Sequence, residues 1–394
     1  MNRAPWPGLR PAWVDVDLDA VAGNTATLAA EVAPARLLAV VKADAYGHGA
    51  VPVARAAVAA GAAWLGVALV EEALVLREAG VDAPVLVLSE PHPAAADACA
   101  AAGVAVTLCT PAAVRAFGAA GRRAGRPLPV HLKVDTGMHR QGCAPAELAG
   151  LVTDALAEPG LEVEGLWSHL AVADEPAKAA TTDAQLASYR RALDEAATAG
   201  LRPRWRHLAN SAGATLRDDA RFDLVRAGIE VYGLAPAPPL AAQVRARLRP
   251  ALALRAAVSA VRTVDAGERV SYGHRWAAPR RTRIATLPVG YADGVRRGLS
   301  GRIRARLRRR DVPQVGTVTM DQLMVDVADM DVEVGEVATL LGDPVAGEPG
   351  VGEWAAVLDT IDYEVTCGLS PRLPRVHHHG GRSTRRQAVA EARR

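Results

Sequence analysis

Short apolar runs recur along the first part of the chain, at 37–41, 64–69, 85–89, 104–109, 130–134, 165–169, 205–209 and 224–227. Between most of them lie alanine-rich stretches with apolar positions at helical spacing: 51–60, 71–79, 93–102, 111–124, 147–157 and 183–199. Several of these stop at glycine (Gly61, Gly80, Gly103, Gly200), the residue that most readily takes the left-handed conformation closing a helix. Eight strands alternating with helices in one unbroken series predict an α/β fold, an N-terminal (β/α)8 TIM-type barrel. An open doubly wound sheet is the alternative, but no Gly-x-Gly-x-x-Gly follows the first strand.

The alternation breaks at Ala235-Pro236-Ala237-Pro238-Pro239 and does not resume. Short β-like runs follow at 251–264, 269–272, 283–289, 302–307, 314–318, 323–327 and 337–341, with turns carrying glycine or Asp-Gly, and one helix-like interruption at 352–358. The organisation expected is a barrel over 1–245, a mostly-β domain over 246–380 and a polar, arginine-rich tail over 381–394. The triplet His377-His378-His379 reads as an ornament near that tail rather than as a metal site.

Half of the 394 residues are hydrophobic and 23% are charged, which is ordinary for a globular chain. A net charge of +3 is too small to argue for nucleic acid. The basic run from Arg302 to Arg310 alternates with apolar residues at its start, as a strand with one solvated face does. Four cysteines (Cys99, Cys109, Cys143, Cys367) show neither a Cys-x-x-Cys pair nor metal-ligand spacing, and are expected to be reduced. The N-terminus lacks the apolar centre of a signal peptide and no segment is long enough to cross a bilayer, so the expected place is the cytoplasm.

Of the 46 basic residues only Lys42, Lys133 and Lys178 are lysine. A guanidinium keeps its proton at neutral pH, whereas a desolvated lysine amine can lose it and form a Schiff base. Lys42 ends the first apolar run, where a barrel carries its chemistry: at the C-terminal ends of the strands. The other strand ends carry Lys133 with the loop to Arg140, then Ser168-His169, Asn210-Ser211 and Arg226-Ala227-Gly228-Ile229. A hydroxyl after the seventh strand and a glycine turn after the eighth suit a phosphate. An amine opposite a phosphate site points to a phosphorylated aldehyde cofactor, pyridoxal 5'-phosphate. Each of these residues alone reads as packing or ion pairing; their joint appearance at successive strand ends reverses that. Trp167, Trp205 and Trp276 are read as packing.

Ala39-Val40-Val41-Lys42-Ala43-Asp44-Ala45-Tyr46-Gly47-His48-Gly49 resembles the cofactor-lysine motif of bacterial alanine racemases. The likeness extends to 131–138, 207–211 and 225–234, and in the second domain to Val270-Ser271-Tyr272-Gly273, 288–294 and 316–321. It implies that Lys42 carries the cofactor and acts as base on one face of the substrate. Tyr46, Ser211 and the amides near Gly228 and Ile229 would hold the phosphate, with Asn210 beside them. Arg226 would face the pyridine nitrogen, and His169 would link Arg226 to Tyr272. Arg140 would sit by the cofactor's phenolic oxygen and the substrate carboxylate, oriented by a carbamylated Lys133. Tyr272 would be the second base, arriving from the partner in a head-to-tail homodimer. The Met320 amide would hold the substrate carboxylate, Tyr291 would narrow the entrance, and Asp321 would support that loop. A phenol with the ordinary pKa of about 10 is a poor base at neutral pH, so the link to His169 matters. The substrate implied is L- or D-alanine, the purpose D-alanine for peptidoglycan.

Three positions depart from the family pattern. Pro371 stands where a phosphate-side tyrosine is expected, Thr319 where cysteine is common, and His139 where glycine is common beside Arg140. A racemase that prefers serine or takes many amino acids is the nearest alternative. A fold-related decarboxylase would show a cysteine loop and an acidic partner for the pyridine nitrogen, where this chain has Tyr272 and Arg226. A non-enzymatic cofactor-carrying barrel would lack the second domain.

Overall fold

The computed structural model describes residues 9–385. Strand β1 (Ala12–Asp17) runs directly into helix α1 (Leu18–Glu31), capped by the Asp17 carboxylate, which accepts the Ala20 amide at 2.9 Å. Eight parallel strands follow: β2 (Arg36–Val40), β3 (Trp64–Val67), β4 (Val85–Val87), β5 (Ala105–Leu108), β6 (Leu128–Lys133), β7 (Leu161–Trp167), β8 (Trp205–His207) and β9 (Leu224–Ala227). From β2 to β8 each pairs with the next, and β9 pairs with β2. The remaining seam is joined by main-chain bonds from Asp223 to the Arg206 carbonyl (3.0 Å) and from Arg226 to the Ala209 carbonyl (3.1 Å). The sheet is thus the barrel expected. Every residue of β3, β4 and β5 is buried, because side chains fill one face and helices cover the other. This is why these strands read as continuous apolar runs rather than as alternation.

The second domain is a ten-stranded sheet. Its strands are β10 (Leu252–Ala257), β11 (Ala260–Val264), β14 (Thr282–Leu287), β15 (Arg304–Leu307), β16 (Arg310–Val315), β17 (Leu323–Ala328), β18 (Val337–Leu341), β19 (Arg375–His379) and β20 (Arg382–Arg385), together with β1. A two-stranded ribbon, β12 (Arg269–Val270) with β13 (Trp276–Ala277), projects separately. In β15 the alternation holds: Ala305 and Leu307 are buried while Arg304 and Arg306 each reach Asp311 at 2.8 Å.

Three details differ from the sequence reading. β1 lies in the segment expected to be barrel, yet it pairs antiparallel with β10 and parallel with β19 in the second sheet. The single run expected at 251–264 is two strands. The histidine triplet is not an ornament: it lies in β19, where His378 Nε2 meets Asp15 at 2.8 Å and His379 Nδ1 meets Asp19 at 2.7 Å. Of the tail expected at 381–394, 382–385 form β20, and residues 386–394 lie outside the described residues. Among the described residues no helix is long and apolar enough to cross a membrane. The four cysteines are free thiols, three of them buried.

Candidate active site

Lys42 follows β2 and begins a turn of unusual backbone. Ala43, Asp44, Ala45 and Tyr46 have φ of 53°, 52°, 54° and 53°, a left-handed helical turn built without glycine. Such backbone costs about 1–2 kcal/mol per residue, so its surroundings must hold it. Glu72 accepts the Ala43 amide at 2.6 Å, and Asp44 accepts the Ala50 amide at 2.7 Å. The buried His48 ring reaches back to the carbonyls of Ala45 and Tyr46 at 3.1 and 3.0 Å. Gly47 is pressed on the Thr366 carbonyl, leaving no room for a Cβ. The turn directs both Lys42 and Tyr46 into one cavity.

That cavity, about 670 Å³, opens at the C-terminal ends of the barrel strands. Lys42, Lys133, Arg140 and Arg226 line it, and among the described residues no Asp or Glu does. Four cations with no carboxylate among the described lining residues are costly to gather unless an anion is to be bound there. One wall is made by Tyr46, Asn210, Ser211, Gly228 and Tyr363. Ser211 Oγ accepts the Gly228 amide at 2.9 Å, and a Cβ on Gly228 would come within 2.6 Å of the Tyr46 hydroxyl. Asn210 caps the short helix Ser211–Leu216, accepting the Gly213 amide at 2.9 Å. Ile229 is fully buried and opens the 3-10 turn behind Gly228. Burial holds the Tyr46 phenol above its usual range, keeping it an O–H donor. Hydroxyls, a close-approaching glycine and surplus positive charge together fit a phosphate.

Arg226 is a second hub of the cavity. Its Nη2 donates to the carbonyls of Ser168 (2.8 Å) and Leu208 (2.9 Å) and lies 3.0 Å from His169 Nδ1, while Nη1 lies 3.0 Å from His207 Nδ1. His207 Nε2 continues to His131 Nδ1 at 2.9 Å. His131 and His207 stand on β6 and β8, with β7 between them. Gly165 of β7 provides the space that the His131 ring occupies. Burial and the neighbouring cations hold His169 and His207 well below the usual imidazole range, so both rings are neutral. A neutral His169 that accepts from Arg226 through Nδ1 carries its proton on Nε2 and offers it outward. Burial brings the Arg226 guanidinium down to about 9, still charged at neutral pH.

The same cause acts on the amines. Burial, then Arg140, lowers the Lys42 amine, and burial with Arg226 and Arg140 brings Lys133 to about 8. Both are therefore more nucleophilic at neutral pH than a surface lysine. Arg140 stands at the end of a loop whose amides at Gly137, Met138 and His139 converge on Asp135 Oδ1 at 2.9–3.1 Å. His139, the departure beside Arg140, adopts φ 55° and sets its Nδ1 3.3 Å from Asp135.

Tyr272, Tyr291, Met320 and Asp321 are elsewhere. They line a separate concavity of about 420 Å³ on the second domain, with Thr319. Tyr272 is 74% exposed there and Met320 52%. Tyr291 begins a short turn fixed by the buried Asp293, which accepts the Gly290 amide at 3.0 Å and two bonds from Arg10. Within one chain the structure therefore gathers Lys42, Tyr46, Lys133, Arg140, His169, Asn210, Ser211, Arg226 and Gly228 around one cavity, but does not bring Tyr272 to them.

One residue departs from its packing reading. Trp167 does more than pack: Lys133 Nζ and the Arg226 guanidinium lie 4.3 and 4.5 Å from its ring centre, so two cations of the cavity rest on it. Its place just before Ser168-His169 at a strand end was the available signal. Pro371 is exposed, and a different aromatic, Tyr363, lines the cavity with its ring 5.8 Å from that of Tyr46.

Comparison with known proteins agrees across both domains. Residues 16–236 match the family described as alanine racemase, N-terminal domain, and residues 251–377 match alanine racemase, C-terminal domain. The chain is 49% identical over 371 residues to an alanine racemase of Symbiobacterium thermophilum, covering 94% of this chain and 98% of that one. It is 45% identical to one of Thermobifida fusca, covering 92% and 96%. Among solved structures, the alanine racemase of D-cycloserine-producing Streptomyces lavendulae superposes with a TM-score of 0.90 at 41% identity, covering 95% and 98%. That of Bacillus anthracis with bound L-Ala-P gives 0.89 at 35% identity, covering 96% and 98%. With both halves matched and the likeness running through nearly its whole length, the chain belongs to the alanine racemase family.

Proposed function

We propose that this protein interconverts L- and D-alanine with pyridoxal 5'-phosphate, working in the cytoplasm as a homodimer that supplies D-alanine for peptidoglycan. The observation that carries the reading is the cavity itself: a depressed amine at Lys42, a hydroxyl-and-glycine wall, and four cations with no carboxylate among the described lining residues. The residues fit the cofactor, with Lys42 as its covalent anchor, Tyr46, Ser211 and the Gly228–Ile229 backbone at its phosphate, and Arg226 at its ring nitrogen. When bound, the cofactor supplies an electron sink that acidifies the α-hydrogen of the substrate. Arg226 offers that nitrogen a hydrogen bond while giving up no proton, which restrains side reactions.

Racemisation needs a proton acceptor on each face of the α-carbon, because a single base tends to return the proton to the side it left. Lys42 serves one face and Tyr272 of a second copy the other, with His169 Nε2 facing the phenol. The exposure of Tyr272, Met320 and Tyr291 around one concavity supports such pairing. Arg140 and the Met320 amide bind the substrate carboxylate, and Tyr291 with Asp321 shapes the entrance.

The test is reduction with borohydride followed by peptide mapping. The pyridoxyl group should be found on Lys42; a label on Lys133 or Lys178 would overturn the assignment. A parallel assay of L-alanine, L-serine and L-lysine should show alanine turned over fastest.

Lys133 yields a second expectation. Its neutral amine can attack carbon dioxide, forming an N–C bond and releasing a proton, so that a cation becomes an anion able to orient Arg140. The amine at about 8 is increasingly protonated as pH falls below that value, so carbamate formation weakens toward acid. With ¹³C-bicarbonate at pH 8 a carbamate resonance should appear, absent in Lys133→Ala and fading by pH 6. Equal signals in both proteins would refute it.

A further inference from the structure

Glu230 has no exposed surface and lies two residues beyond Gly228. A buried carboxylate persists only where partners hold it, and here those partners connect the pieces of the phosphate wall. Thr215 Oγ1 donates to it, lying 2.9 Å from Oε1 and 3.2 Å from Oε2. Thr215 is four residues after Ser211 in the helix Ser211–Leu216, so the two hydroxyls share one helix face. Ser211 Oγ meanwhile accepts the Gly228 amide at 2.9 Å. Helix and turn are therefore joined at two rungs, Ser211 with Gly228 and Thr215 with Glu230. Behind the second rung Arg247 Nη2 lies 3.5 Å from Glu230 Oε1, while its Nη1 pairs with Glu31 at the end of α1. Burial pushes the Glu230 carboxyl up to about 7, against the pull of Thr215 and Arg247 and with a further push from Glu31.

We propose that Glu230 is a positioning residue for the cofactor phosphate, fixing the 228–230 turn against the Ser211 helix through Thr215. The proposal rests on the reading of this wall as the phosphate site. Glu230 touches no ligand in this scheme; it sets the spacing between the Ser211 hydroxyl and the turn's amides. Removing Glu230 takes the acceptor from the Thr215 hydroxyl, and removing Thr215 leaves the buried Glu230 with Arg247 alone; either loss frees the turn to drift.

The test uses the full-length protein stripped of cofactor and titrated with pyridoxal phosphate, followed by visible absorption and ³¹P resonance. Glu230→Ala and Thr215→Val should each weaken binding roughly tenfold or more, the usual consequence of orphaning a buried hydrogen-bonding group, and shift the phosphorus resonance. Glu230→Gln keeps an oxygen that accepts from Thr215, so it should restore affinity to within a few-fold of wild type. Melting of the stripped proteins separates this from unfolding. Wild-type affinity and resonance in both Glu230→Ala and Thr215→Val would overturn the proposal. So would a Glu230→Gln that fails as badly as alanine, since the lost property would then not be the hydrogen bond. Failure of the wild type itself to bind the cofactor saturably would instead overturn the reading of the site.

Discussion

Lys42→Ala racemises alanine at least about 10⁴-fold more slowly than wild type and remains colourless when pyridoxal phosphate is added. One positioned general base is worth about 10²–10⁴ in rate, and Lys42 is assigned a second task as covalent anchor. Lys133 is the other amine in the cavity, but it is held over Trp167 by its own contacts. A yellow, active Lys42→Ala enzyme would mean that another lysine can carry the cofactor. The variant also tests the shared site. Mixed with inactive Tyr272→Phe, it should form heterodimers in which one of two sites has both intact residues, and some activity should return. Subunit exchange, followed by mass, without recovered activity would rule out a site built from two chains.

Tyr272→Phe alone loses net racemisation by a factor on the order of 10²–10⁴ while keeping the bound cofactor's colour. The reason is spatial: Tyr272 lies on the second domain, away from the wall proposed for the cofactor, so its loss leaves that wall intact. Lys42 remains able to take the α-proton from the enantiomer that presents it to that face, D-alanine in the family's arrangement. Deuterium from the solvent should then enter D-alanine faster than L-alanine. Equal loss of exchange from both enantiomers would show that Tyr272 is not the second base.

The barrel was legible because strands covered on both faces are apolar throughout, so β3, β4 and β5 announced themselves. Lys42 was legible because lysine is rare in this chain and sits at a strand end. What escaped depended on distance. β1 alternates as half-exposed strands do, but its neighbours in the sheet are residues 252–256 and 375–378. The left-handed turn at 43–46 contains no glycine to signal it, since the strain is held by Glu72, Asp44 and His48. His131 and His207 stood in motifs already noted, yet their contact requires the gap at Gly165 on the strand between them. Trp167 could have been found by extending the strand-end rule one residue inward.

The placement of β1 has a consequence for biosynthesis. A ribosome makes this strand before any of the barrel, and adds residues at about 5–20 per second. The strands that flank it, β10 and β19, emerge roughly tens of seconds later, after the whole barrel has been produced. Until then both edges of β1 stand open to wrong partners, while the barrel can already close behind it. The domain started first is the one finished last.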